Sequence, residues 1–123
     1  MNLKTTFTPA EFEVLARTDL SQTTCVVFDI LRATSSMITA LANGAEQILP
    51  VASIDEALAA KAKYPEALLC GERDGLRITA AQTGGTEFDL GNSPREYTAE
   101  MVAGKTLITT TTNGTRALRA CVN

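Results

Sequence analysis

The chain reads as an α/β domain of three layers, helices on both faces of a largely parallel or mixed sheet, and three observations predict this. Short β-branched runs alternate along the chain with helical segments. The runs are apolar throughout their centres, as in strands covered on both faces. Several of the intervening helices open on capping signals. Alternation of this kind implies βαβ units and hence parallel neighbours. With 123 residues the chain fits one domain, residues 1–123, able to bury a core without staples.

Thr8-Pro9-Ala10-Glu11 forms a capping box with proline at the first helical position and predicts a helix over residues 9–17. Residues 23–30 (TTCVVFDI) predict a strand ending in one acid, Asp29. Helical spacing follows over residues 31–42, with Ile30, Met37, Ile38 and Leu41 on one side and Asn43-Gly44 as the stop. Residues 45–52 predict a second strand, with Pro50 at its end or on an edge. Ser53 to Glu56 opens an alanine-rich helix running to about Lys63. The run 67–70 leads into Gly71-Glu72-Arg73-Asp74-Gly75, read as a turn or strand end, and residues 77–81 continue as a short strand. Residues 82–93 predict a long ordered loop. Ser93-Pro94-Arg95-Glu96 starts a helix over residues 94–103, stopped by Gly104. Residues 105–112 (KTLITTTT) form the last strand, and beyond Asn113-Gly114-Thr115 a helix has barely begun at Asn123, as if the domain were incomplete.

Composition narrows the chemistry. The apolar and charged fractions, 45% and 20%, are those of a globular protein. A net charge of −3 gives no general attraction to nucleic acid or anionic membrane, so an anionic ligand needs local cations. The apolar runs are too short to cross a bilayer and the N-terminus lacks a signal-type core, which predicts a cytoplasmic protein. Cys25, Cys70 and Cys121 make no CxxC and read as small buried apolar residues. Histidine is absent, which excludes phosphohistidine chemistry, His-based triads and imidazole metal sites within this chain. Carboxylates, hydroxyls, Arg, Lys and a hard metal remain.

Four constellations offer such groups, and in open α/β sheets they belong at the carboxyl ends of strands, so Asp29, Glu72-Arg73 and residues 112–115 are predicted to share one rim. In FDILRATSS, Asp29 suits Mg2+ coordination, Arg32 a forked grip on phosphate or sulfonate, and Thr34 and Ser35 added hydrogen bonds. The same residues also make sense as a plain helix start. In TTTTNGTR, a left-handed Asn113 or Gly114 would let Thr112, Thr115 and nearby N–H groups close around an anion, or the motif is a threonine-rich strand with a hairpin turn. Gly71-Glu72-Arg73 is a metal ligand beside a cation, or a surface turn. FDLGNSP gathers Asp89, Asn92 and Ser93 before a helix start, where Ser93 is an N-cap. Gly104-Lys105-Thr106 imitates a P-loop tail, but position 99 is Ala and a strand follows. Cys25 lies mid-strand, unsuited to a phosphatase thiolate.

In this order, VVFDILRATSSMITALANGAEQILPV, CGERDG, FDLGNSPREY and TTTTNGTRAL closely resemble the 2-phosphosulfolactate phosphatase family, from Val26 to Leu118. The resemblance implies Mg2+-dependent hydrolysis of 2-phosphosulfolactate to sulfolactate and phosphate, a step serving coenzyme M biosynthesis in methanogens. It nominates Asp29, Arg32, Glu72, Arg73, Asn92, Asn113 and Thr115. Asp29 and Glu72 are assigned catalysis and the metal; Arg32, Thr34, Ser35, Arg73, Asn92, Thr112, Asn113, Gly114 and Thr115 are assigned substrate. Family members are longer, and residues 79–87 (TAAQTGGTE) look longer and more polar than the family pattern. The alternative is a non-catalytic domain binding a phosphorylated or sulfonated metabolite. A homo-oligomer is a further expectation, since exposed apolar surface of an incomplete fold would pair with itself.

Overall fold

The threonine-rich run that is the last strand in the sequence becomes the central one. β4 (Thr106–Thr110) lies between β1 (Gln47–Pro50) and β2 (Leu68–Arg73), parallel to both, and β3 (Leu76–Arg77) pairs antiparallel with β2, giving the order β1-β4-β2-β3. The sheet is therefore mixed, with a parallel centre, and the computed structural model describes residues 2–122. Alternate residues of each strand enter opposite cores. Leu107 and Cys70 pack on one face with Ala40, Tyr97 and Val102, while Ile108 and Leu69 pack on the other with Ala57, Ile78 and Phe88. Pro50 ends β1 on the sheet edge, where its missing N–H breaks no ladder.

α1 (Pro9–Leu15) opens on the predicted box: the Glu11 carboxylate accepts from the Phe7 and Thr8 N–H groups, each at 2.8 Å. α3 (Ile54–Lys63) is capped by Ser53, whose hydroxyl accepts from Glu56 N–H at 3.1 Å. Both ends of α3 suit the helix dipole, with Asp55 and Glu56 first and Lys61 and Lys63 last. α2 (Ala33–Ala42) buries its small residues Ala33, Ser36 and Ala40, while Ile38 and Leu41 face water; the large apolar side expected from spacing is the outer one. No helix among the described residues is long and apolar enough to cross a membrane.

Four expectations need correction. Residues 23–30 run extended but join no strand ladder. Their composition suits a strand, but pairing depends on a neighbour that composition does not specify. The helix expected over residues 94–103 is divided into a 3-10 turn, Pro94–Glu96, and α5 (Ala99–Val102). Tyr97 sits at the break, buried, its hydroxyl donating to the Gly91 carbonyl at 2.7 Å. Holding Tyr97 there takes backbone angles outside the helix (φ −90, ψ 54). Residues 77–81 do not continue as a strand: β3 ends at Arg77, and α4 (Ala80–Thr83) opens on a box in which Gln82 accepts from Thr79 N–H. The last helix, α6, runs from Gly114 to Ala120 with Cys121 as its C-cap. Of the cysteines only Cys70 is buried; Cys25 and Cys121 are half-buried. Burial pushes the Cys70 thiol up to about 12, which keeps it protonated and unreactive.

Tyr97→Phe tests the break. Removing the hydroxyl leaves a buried Gly91 carbonyl without its donor, so the variant is expected to lose about 1–2 kcal/mol in urea unfolding.

Candidate active site

The carboxyl ends of β2 and β4 meet at an unusually close point. Gly71 has φ +144, and a β-carbon on it would run into the Thr110 carbonyl. With glycine there, the next residue, Glu72, turns into the interface between the strand ends and is only 7% exposed. Its carboxylate accepts from Thr112 N–H at 2.7 Å, Gly75 N–H at 2.9 Å and the Thr112 hydroxyl at 3.1 Å. Burial alone would raise its pKa. The two N–H groups, the Thr112 hydroxyl and the Arg73 charge outweigh that effect and hold the group below its ordinary value of 4.5. Glu72 is thus no exposed turn residue; it ties the end of β2 to the segment between β4 and α6.

Asp29 arrives from the other side. Its backbone is closed by Thr34, whose hydroxyl accepts from Asp29 N–H at 3.1 Å and whose N–H donates to Asp29 C=O at 3.0 Å. The Ser35 hydroxyl donates to Ile30 C=O at 2.7 Å. These two hydroxyls shape the loop. α2 then begins after Arg32, not at Asp29. Gly114 packs against this loop so closely that a β-carbon would lie 2.7 Å from Asp29 Oδ2 and 2.6 Å from Ala33 Cβ. That contact joins the first and last motifs of the sequence.

A cavity of about 300 Å³ opens between them. Of the nominated residues, Asp29, Arg32, Glu72, Asn92, Thr112 and Asn113 line it, together with Leu31, Asp74 and Gly75. Arg32 reaches across to donate to Gly75 C=O at 2.9 Å. Asn92 is held through its backbone, where C=O accepts from the Ser36 hydroxyl at 2.9 Å. Its own Oδ1 is buried and has no hydrogen-bond partner among the described residues. A buried amide oxygen of this kind is an acceptor awaiting a donor or a cation.

The remaining nominees lie elsewhere. Thr115 is fully buried, its hydroxyl accepting from Thr111 N–H at 2.8 Å and its N–H donating to the Thr111 hydroxyl at 3.1 Å, so it closes the start of α6 and does not line the cavity. Arg73 points along the sheet, donating to Glu72 C=O at 2.7 Å and the Thr110 hydroxyl at 2.9 Å. Gly114 contributes proximity only. Neither Asn113 (φ −125) nor Gly114 is left-handed; of the residues lining the cavity it is Asp74 (φ 54) and Gly75 (φ 77), in the β2–β3 turn, that have positive φ. Asp-Gly between two strand-like runs is a hairpin signal that the sequence carried, and it marks two of the three lining residues missed, Leu31 being the other.

Three carboxylates, one guanidinium and an amide oxygen make this wall predominantly acidic and rich in hard oxygen donors. Among the described residues no three His, Cys, Asp or Glu side chains converge as a metal cage. Mg2+ is commonly held by one or two carboxylates, with water and ligand phosphate completing its shell, so the donor set and the orphaned Asn92 oxygen fit it. A second cavity, about 420 Å³, lies at the amino ends of β1 and β4 beside Glu46, Lys63 and Lys105. It is at the wrong end of parallel strands for the usual ligand site.

The domain is thus an α/β sheet with a parallel centre, carrying an acidic, arginine-bearing cavity at its carboxyl rim. The family model of 2-phosphosulpholactate phosphatase matches residues 10–123, and the chain belongs to that family. A Clostridium acetobutylicum protein named "Probable 2-phosphosulfolactate phosphatase" is 52% identical over 97 residues, 78% of this chain and 38% of that protein. Proteins of the same name from Thermotoga maritima and Caldanaerobacter subterraneus are 50% and 48% identical, over 77% and 82% of this chain and 38% and 40% of their own lengths. The chain spans about two-fifths of the length of these curated relatives.

Proposed function

We propose that this chain supplies the Asp29 and Glu72 side of a Mg2+-dependent phosphatase site that hydrolyses 2-phosphosulfolactate to sulfolactate and phosphate. The supporting observation is the convergence of the Asp29 loop, the Asn92 segment and the strand end at Thr112 on one cavity. Asp29 and Asn92 Oδ1 would hold the cation, which when bound polarises a phosphoryl oxygen and acidifies water. Of the three carboxylates lining the cavity, Glu72 is taken up by hydrogen bonds while Asp29 and Asp74 accept none among the described residues. Asp29, packed against Gly114 at the head of the last helix, is the one we assign to hold the cation and to take a proton from the attacking water. Glu72, already accepting three hydrogen bonds, is the positioning residue that fixes Thr112 and the β2–β3 turn. Arg32 grips anionic oxygens of the ester, and Thr112 and Asn113 orient it.

The substrate would bring phosphate, carboxylate and sulfonate to an acidic protein, so the cation and Arg32 offset a repulsion that the average charge imposes. Phosphate release from 2-phosphosulfolactate should depend on added Mg2+ and fall by about a hundredfold in Asp29→Asn. Calorimetric titration should show weakened Mg2+ binding in the same variant. Binding of the ester with no release under any Mg2+ concentration would replace this reading with a non-catalytic domain for a phosphorylated or sulfonated metabolite.

A further inference from the structure

Asp74 is an acid of the cavity wall whose charge the fold does not require. It stands with Gly75 at the two-residue tip of the β2–β3 hairpin, where Arg73 pairs with Leu76. Both tip residues have positive φ. Such a tip favours Asn, Asp or Gly at its first position, and a neutral asparagine serves it as well as aspartate. The turn therefore explains the backbone of Asp74 and not its charge. That charge lies on a wall already carrying Asp29 and Glu72, and it accepts no hydrogen bond and joins no ion pair among the described residues. The neighbouring cations are engaged elsewhere: Arg73 donates to Glu72 C=O and the Thr110 hydroxyl, and Arg32 to Gly75 C=O.

The tip is also held in place. Gly75 N–H donates to Glu72 at 2.9 Å and Gly75 C=O accepts from Arg32 at 2.9 Å, so the residue beside Asp74 is bonded both to the end of β2 and to the Asp29 loop. Asn92 gives an independent sign of a ligand: it is 6% exposed and lines the same cavity, and its Oδ1 is buried without a partner among the described residues. We propose that Asp74 is the second carboxylate ligand of the cation site, sharing one divalent ion with Asp29 and Asn92 Oδ1. The proposal rests on the Mg2+ site of the function given above and adds a residue to it. Two carboxylates offset both charges of the ion, which one acid and an amide do not. Mg2+ keeps several of its waters when bound, which suits an acid that is open to solvent.

Calorimetric titration of the chain with MgCl2 tests this without turnover. Asp74→Asn and Asp74→Gly both suit a positive φ, so each should fold, and each should bind Mg2+ about tenfold or more weakly than the unaltered chain. Thermal unfolding separates a ligand from a structural acid. Without Mg2+, Asp74→Asn should melt no lower than the unaltered chain, because it relieves repulsion on the acidic wall. With Mg2+ at one fixed concentration, the rise in melting temperature seen in the unaltered chain should be much smaller in the variant. A melting temperature lowered equally with and without Mg2+ would make Asp74 a structural residue and sink the proposal. Unchanged Mg2+ affinity in both Asp74 variants, beside a weakened Asp29→Asn, would overturn it and leave the proposed phosphatase site standing. Weakened Mg2+ binding in the Asp74 variants of a chain that releases no phosphate would uphold Asp74 as a ligand and remove the phosphatase reading. A chain that binds no Mg2+ would end both.

Discussion

Gly71→Ala is expected to destabilise the domain by more than about 3 kcal/mol, a large share of the roughly 5–15 kcal/mol that holds an ordinary small protein folded. Two costs combine. A left-handed φ of +144 is open to glycine and strained for alanine, at about 1–3 kcal/mol. The added carbon would also overlap the carbonyl of Thr110, the residue paired with Gly71 across the β2–β4 ladder. That obstacle is backbone in the central strand, so it cannot rotate away, and relief requires the strands to part. Parting would weaken the contact from Gly71 N–H to Leu90 C=O, 3.0 Å, and displace Glu72 from the site. Urea unfolding of the variant checks this, and a loss below about 1 kcal/mol would show that the strands separate cheaply.

Gly71 also shows why some of the site was hidden in the sequence. G-E-R-D-G reads locally as a charged surface turn, and nothing within five residues says that the first glycine admits a neighbouring strand. Once Thr110 is known to lie against it, the burial of Glu72 follows. The helix starts were legible for the opposite reason: at Thr8, Ser53 and Ser93 the cap and its partner are three residues apart, so the sequence contains both halves of the interaction. The helix over residues 94–103 was lost at Tyr97 because a buried hydroxyl bond to Gly91 outweighs local propensity.

The same division runs through the candidate site. The Asp29 and Asn113 segments do line one cavity, but only the Asn113 side follows from parallel strands delivering their carboxyl ends to a common rim, because the run before Asp29 pairs with no strand among the described residues. Which atoms would face a ligand was not legible. Thr34, Ser35 and Thr115 have the right chemistry, but the short-range bonds that build their own loops use their hydroxyls. The Asn92 oxygen emerged only as a buried acceptor without a donor.

Glu72→Gln should cost about 2–4 kcal/mol near neutral pH, and the cost should shrink in acid. The change is nearly isosteric but not conservative. One carboxylate oxygen accepts from Thr112 N–H and the other from Gly75 N–H and the Thr112 hydroxyl, so a glutamine amide would turn its NH2 toward an existing N–H donor in either orientation. The pH dependence follows from the lowered pKa of the folded carboxylate. Above the ordinary value of 4.5 both folded and unfolded chains carry the charge, and the stabilisation is complete. As pH falls below that value the unfolded chain takes up its proton first, and the advantage drains away until the pH has passed the folded group's lower pKa. Glu11 and Asp19, whose pKa values are also lowered, remain in both proteins and cancel in the comparison. Urea unfolding of both proteins at stepwise lower pH should therefore show the gap between them narrowing through the carboxylate range. A gap that stays constant would mean that the loss in Glu72→Gln comes from packing alone, and that the charge of Glu72 does not hold the two strand ends together.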